Sequence, residues 1–188
     1  MVGAISRSPL RALVALLMAF FLFVPAQADE ATDKLLDDLF VQLREAPDEA
    51  SARTISDRIW TVWIHPTEPN LAARMMDVME ARTMQSREKT LALLDALILD
   101  FPDYAEGWNQ RATLHFMMGD YEASIADCAR VLELEPRHFG ALAGRALMYL
   151  QQGKRSLALK DMKTALDLHP FLSERHLFPE LEQEITRT

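Results

Sequence analysis

Apolar residues return at helical spacing along most of this chain. Across 104–118 they recur on one face of a helix, and Gly119 follows where a left-handed residue would end it. Asp120 is placed to cap a second helix that runs to about Leu134 and stops before Pro136, because proline disfavours helix at the residue preceding it. The same outline returns at 141–150, closed by Gly153, and at 157–168, stopped by Pro170. Aligning 105–138 with 139–172 puts Gly119 on Gly153, Leu134 on Leu168 and Pro136 on Pro170, with Arg111 on Arg145, Ala112 on Ala146 and Asp127 on Asp161. A fixed period of this kind marks a stacked repeat architecture, whose units are too small to bury their own apolar face and lean on their neighbours.

Upstream the period blurs. Pro102 stands in the register of Pro136, and 72–82 followed by 87–100 has the two-helix outline with Ser86 as the cap between them, so 69–102 reads as a degenerate repeat. Segments 33–44 and 48–64 form another pair ending at His65-Pro66, which makes 33–66 a degenerate helical pair or a cap. At the other end 173–188 reads as a cap. Phe171, Leu172, Leu177, Phe178 and Leu181 would cover the last repeat while Glu174, Glu180, Glu182 and Glu184 face water.

In this layout the sequence resembles the tetratricopeptide repeat (TPR) family. The family pattern places Trp, Leu-Gly and Tyr on the first helix, then Ala, Phe, Ala and a closing Pro on the second. It maps onto Trp108, Arg111-Ala112, His115, Ser124, Cys128, Val131 and Pro136, and in the next block onto Leu142, Arg145-Ala146, Tyr149, Ala158, Met162, Ala165 and Pro170. The resemblance implies an all-α fold, a TPR-type α-solenoid of antiparallel helical hairpins with a C-terminal capping helix. It also implies a concave groove lined by the first helix of each hairpin. The groove positions are then Asn109, Thr113, Phe116 and Met117 in one repeat, Ala143, Leu147, Leu150 and Gln151 in the next, and Met75, Met79 and Arg82 in the degenerate one.

The carboxylate clamp of chaperone-type TPR domains needs Lys and Asn at set groove positions, and only Asn109 matches. Capture of an acidic C-terminus is therefore not expected. A groove of methionine, phenylalanine and leucine suits an apolar or amphipathic segment of a partner protein, because flexible thioethers adapt to varied shapes. Packing of Met75 and Leu147 between neighbouring first helices stays open at this point. The two arginines depart from the family pattern. Arg111 should face Asp127 and Arg145 should face Asp161 as structural ion pairs between helices, a variation that many bacterial TPR sequences resemble.

The first residues look different from the rest. Arg7 and Arg11, an uncharged run over 12–24, and the small residues of Pro25-Ala26-Gln27-Ala28 read as a signal peptide, 1–28, cleaved to leave a TPR domain at 29–188. The apolar run falls short of the roughly 20 residues that a membrane-spanning helix needs. The expected product is exported, periplasmic or secreted in a bacterium, with no membrane association after cleavage; the alternative is that the segment is retained uncleaved as an anchor. The leader carries two of the 20 basic residues and none of the 28 acidic ones, so its loss makes the net charge more negative than −8. Nucleic acid and anionic membrane surfaces select the opposite sign.

Little in the chain reads as chemistry. The single cysteine, Cys128, falls where the TPR pattern wants a small buried residue, and one cysteine makes no internal disulfide. Gly140 and Gly144, one helical turn apart, read as a close helix contact rather than a phosphate loop. No His-Glu-x-x-His, paired-cysteine or Gly-x-Ser-x-Gly motif is present, and five histidines are scattered. The chain is therefore expected to have no catalytic residue, no metal site and no cofactor. It reads as a non-enzymatic scaffold for a protein or peptide partner, with self-association compatible. The alternative is an assembly or accessory factor that positions a cell-envelope enzyme complex.

Overall fold

The computed structural model describes residues 27–181, which are α-helical apart from turns and contain no strand. The expected leader lies outside the described residues except for its last two, which begin the first helix, and Glu182 and Glu184 of the tail lie outside them as well. Helix α1 spans Gln27–Arg44 and α2 spans Glu49–Ile64; α3 spans Pro69–Thr83 and α4 Arg87–Asp100. Helix α5 spans Ala105–Met118, α6 Tyr121–Leu134, α7 Phe139–Gln151 and α8 Arg155–Leu168. A 3-10 turn follows at Ser173–Leu177, and 179–181 are helical again.

Local chemistry sets most of the ends. Asp48 accepts a hydrogen bond from the Ser51 N–H at 2.8 Å and starts α2. Glu68 accepts from the N–H groups of Asn70 and Leu71 at the start of α3, where Pro69 has no N–H to lose. Asp120 caps α6 at the Ala123 N–H and His138 caps α7 through Nδ1 at the Ala141 N–H. Gly119 closes α5 with φ +80° and Gly153 follows α7 with φ +71°. In the register of those two glycines, between α3 and α4, stands Gln85 with φ +56°. Ser86 does not cap α4 with its side chain; its carbonyl accepts from the Thr90 hydroxyl at 2.7 Å instead, which corrects the expectation for that residue.

The hairpins α3–α4, α5–α6 and α7–α8 stack in chain order, α4 on α5 and α6 on α7, as an α-solenoid. The α1–α2 hairpin packs at the other end of the stack from its neighbour α3. Leu36, Leu39, Phe40 and Leu43 form the apolar stripe of α1, and Ala52, Ile59 and Trp63 that of α2. Both stripes share one buried cluster with Phe139, Leu142 and Ala146 of α7, Ala158 and Met162 of α8, and Phe178. Each large side chain so buried contributes about 1.5–3 kcal/mol, so the fold-back is a core in its own right. In the tail Leu172, Phe178 and Leu181 are buried as expected, but Leu177 is 51% exposed, because the 3-10 turn carries it outward.

Candidate partner-binding surface

The two repeat arginines sit on their carboxylates in the same bidentate geometry. Arg111 donates from Nε and Nη2 to Asp127 at 2.8 Å each, and Arg145 donates to Asp161 at 2.6 and 3.0 Å. Both aspartates are buried. Arg111 also donates to Asp95 at 2.8 Å and lies over the Trp108 ring at 4.9 Å. Asp95 stands sixteen residues before Arg111, as Asp127 stands sixteen after it, while the position equivalent to Asp95 in the next block is Ala129. Bonds to Asp127 hold the Arg111 guanidinium above its ordinary pKa. For Arg145 burial pulls downward, and the bonds to Asp161 outweigh it, with a net rise. The pairs tie the helices of a hairpin together and point no free charge at a ligand.

A second polar centre was not anticipated from the sequence. Glu106 and His138 are both buried. His138 accepts at Nδ1 from the Ala141 N–H, so its ring proton is on Nε2 and is donated to Glu106 at 3.1 Å. Glu106 also accepts from the amides of Asn109 and Gln110. The His138 ring stacks on Trp63 of α2, centroids 4.1 Å apart and planes 9° from parallel, and Trp60 meets it edge-on at 5.4 Å. This cluster joins the start of α5, the start of α7 and the end of α2. A sequence signal existed in the two tryptophans of α2, large aromatics one helical turn apart, but their partner lies in a distant loop.

The expected groove positions are not brought together as one surface. Met75 is 1% exposed and lies in a core cluster with Leu71, Val78 and Leu94, and Met79 packs against that cluster. Asn109 is 7% exposed and its amide is committed to Glu106. Ala143 is 4% exposed, inside the cluster that α1 and α2 build, and Leu147 and Leu150 pack against the same cluster. Met75 and Ala143 are therefore corrected from groove to core, while Asn109, buried and bonded to Glu106, still borders the cleft between α5 and α7. For α7 the reason is the fold-back hairpin, which covers the face that a plain stack would leave open.

What remains open is smaller. Arg82 and Met117, the latter 55% exposed, line one cleft at the turn between α3 and α4. Thr113, Phe116 and Leu147 line a cleft of about 170 Å³ between α5 and α7, floored by Gly140, Gly144 and Met148. Gln151 is exposed at the end of α7. The two glycines differ in role. A Cβ on Gly140 would lie 2.6 Å from the Trp60 ring, so only glycine admits that close approach of α2 and α7, whereas a Cβ on Gly144 would meet nothing within 4 Å. Cys128 borders the same cleft, and burial pushes its thiol up to about 12, which leaves it protonated and inert. Among the described residues no group of three or more His, Cys, Asp or Glu could hold a metal, and no helix is long and apolar enough to cross a membrane.

Comparison with known proteins adds the following. The family model of the tetratricopeptide repeat matches residues 105–138. A TPR repeat-containing protein of Rhizobium etli is 38% identical over 143 residues, which cover 76% of this chain and 70% of that protein. Sperm-associated antigen 1 of Rattus norvegicus is 33% identical over 66 residues, 35% of this chain and 7% of its own length. A crystal structure of MamA overlays with a TM-score of 0.48 at 15% identity, over 88% of this chain and 84% of that one.

Proposed function

We propose that this chain, which belongs to the tetratricopeptide repeat family and is with it a protein-interaction scaffold, is exported and holds an amphipathic segment of a partner protein in the cleft between α5 and α7. The carrying observation is the open floor at Gly144. One wall of the cleft is apolar and adaptable through Phe116 and Leu147, and Thr113 supplies a hydroxyl at the edge. This combination suits a helix that lays one apolar face into a groove. Export is supported by Arg7, Arg11, the apolar run 12–24 and the small residues Ala26 and Ala28.

Gly144→Met tests the cleft. The side chain fills empty space on a helix, so stability should hold or rise by about 0.5–1 kcal/mol while partner capture is lost. Undiminished capture from the native envelope would remove the cleft from the interface. The intact mass of envelope-derived protein tests export, the expected N-terminus being Asp29.

A further inference from the structure

The fold-back of α1–α2 creates a second cleft, apart from the one between α5 and α7, and it is the larger of the two at about 750 Å³. It opens between α1, the α2–α3 joint and the α4–α5 turn. The apolar lining is Leu36, Val62, Trp63, Leu71, Phe101 and Tyr104. The Tyr104 hydroxyl donates to the Trp63 carbonyl at 2.6 Å and ties the two sides together. Leu35, 42% exposed, stands at the lip as an apolar side chain with no core to enter.

The charged part of the lining has one sign. Asp33, Glu68, Asp100, Asp103, Glu106 and Glu135 line the cleft, and no Lys or Arg does so among the described residues. Arg74, Arg130 and Arg137 pair with Asp100, Asp103 and Glu135 without themselves entering the lining, and Glu106 is satisfied by its buried donors. Glu68 is spent as the cap of α3. Asp33 has no cation on it among the described residues, and the Asp103 side chain is largely open to solvent beside Arg130 at 3.3 Å. Apolar walls beneath a rim of one charge focus its field and favour a partner of the opposite sign. The volume is within the range of sites that enclose a ligand's apolar groups.

We infer that this cleft is a docking site for a cationic amphipathic segment of a partner protein, its apolar face against Trp63 and Leu71 and its Lys or Arg side chains over Asp33 and Asp103. A second copy of this chain, with its net charge of −8, is the wrong sign for the same rim. A plain stack of hairpins has no such cleft, because one wall is α1.

The test is fluorescence anisotropy with the full chain and a labelled 18-residue helical peptide of Leu and Lys, against a peptide in which Glu replaces every Lys. The Leu/Lys peptide should bind, weaken with salt, and lose about three- to tenfold in affinity on Asp33→Asn with Asp103→Asn. Leu35→Ser should weaken it independently. Glu122→Gln with Asp167→Asn, exposed carboxylates outside the cleft, should leave it unchanged. Equal binding of the two peptides, or equal losses from the cleft and distant carboxylate variants, overturns the assignment. Binding that appears only on dilution gives the cleft to a second copy and overturns the partner-protein assignment.

Discussion

Trp63 and His138 lie face to face, 4.1 Å between ring centroids, and that stack is where the N-terminal hairpin meets the repeat array. His138 is held from behind by Glu106 and by the α7 backbone, so the tryptophan closes onto a ring that cannot turn away. Trp63→Ala should cost about 3–5 kcal/mol in urea unfolding. Amide exchange should speed up first in α1 and α2, while α3–α6 keep their protection. Uniform loss of protection would show that the hairpin and the stack unfold as one unit.

Gln85 holds the left-handed backbone that Gly119 and Gly153 hold in the following repeats. A residue with a Cβ is strained there, and glycine is not, at some entropic cost in the unfolded chain. Gln85→Gly is expected to raise stability by about 0.5–1 kcal/mol, read as a higher urea midpoint at constant slope. The reverse change, Gly153→Ala, should lower it by about 1 kcal/mol, since no neighbour lies within 4 Å of the new methyl to add a clash.

The Arg145–Asp161 pair couples α7 to α8 through two bonds at a mostly buried site. Removing one partner leaves the other charge unmatched, and each single alanine variant should lose about 3 kcal/mol. Arg145→Met with Asp161→Leu should recover most of that loss. A double-mutant cycle with a coupling under about 0.5 kcal/mol would mean that the pair behaves as a solvated surface contact.

His169 gives the stability a pH dependence. Burial holds its imidazole below the ordinary value of 6.5, and Phe139 meets the ring edge-on at 5.3 Å. The unfolded state then takes up the proton first as pH falls. The contribution is complete above pH 6.5 and is lost as pH drops through that value toward the folded one. Urea midpoints of His169→Asn should decline less steeply between pH 7 and 5 than those of the parent chain.

Much of this molecule is determined within short reach along the chain. The alternation of apolar stripes, glycines and prolines determined the helices from α3 to α8, and the recurrence of Arg111 at Arg145 and Asp127 at Asp161 announced the ion pairs. Such features repeat because each hairpin meets the next through the same local contacts. Tertiary structure alone decided where α1–α2 goes. Its stripe of Leu36, Phe40, Ile59 and Trp63 says that a face must be buried, but apolar burial has no direction of its own, and nothing near it in sequence names α7 as the cover. That one choice moved Ala143 from groove to core and joined Trp63 to His138. It also opened a second cleft whose walls come from segments that the sequence keeps far apart.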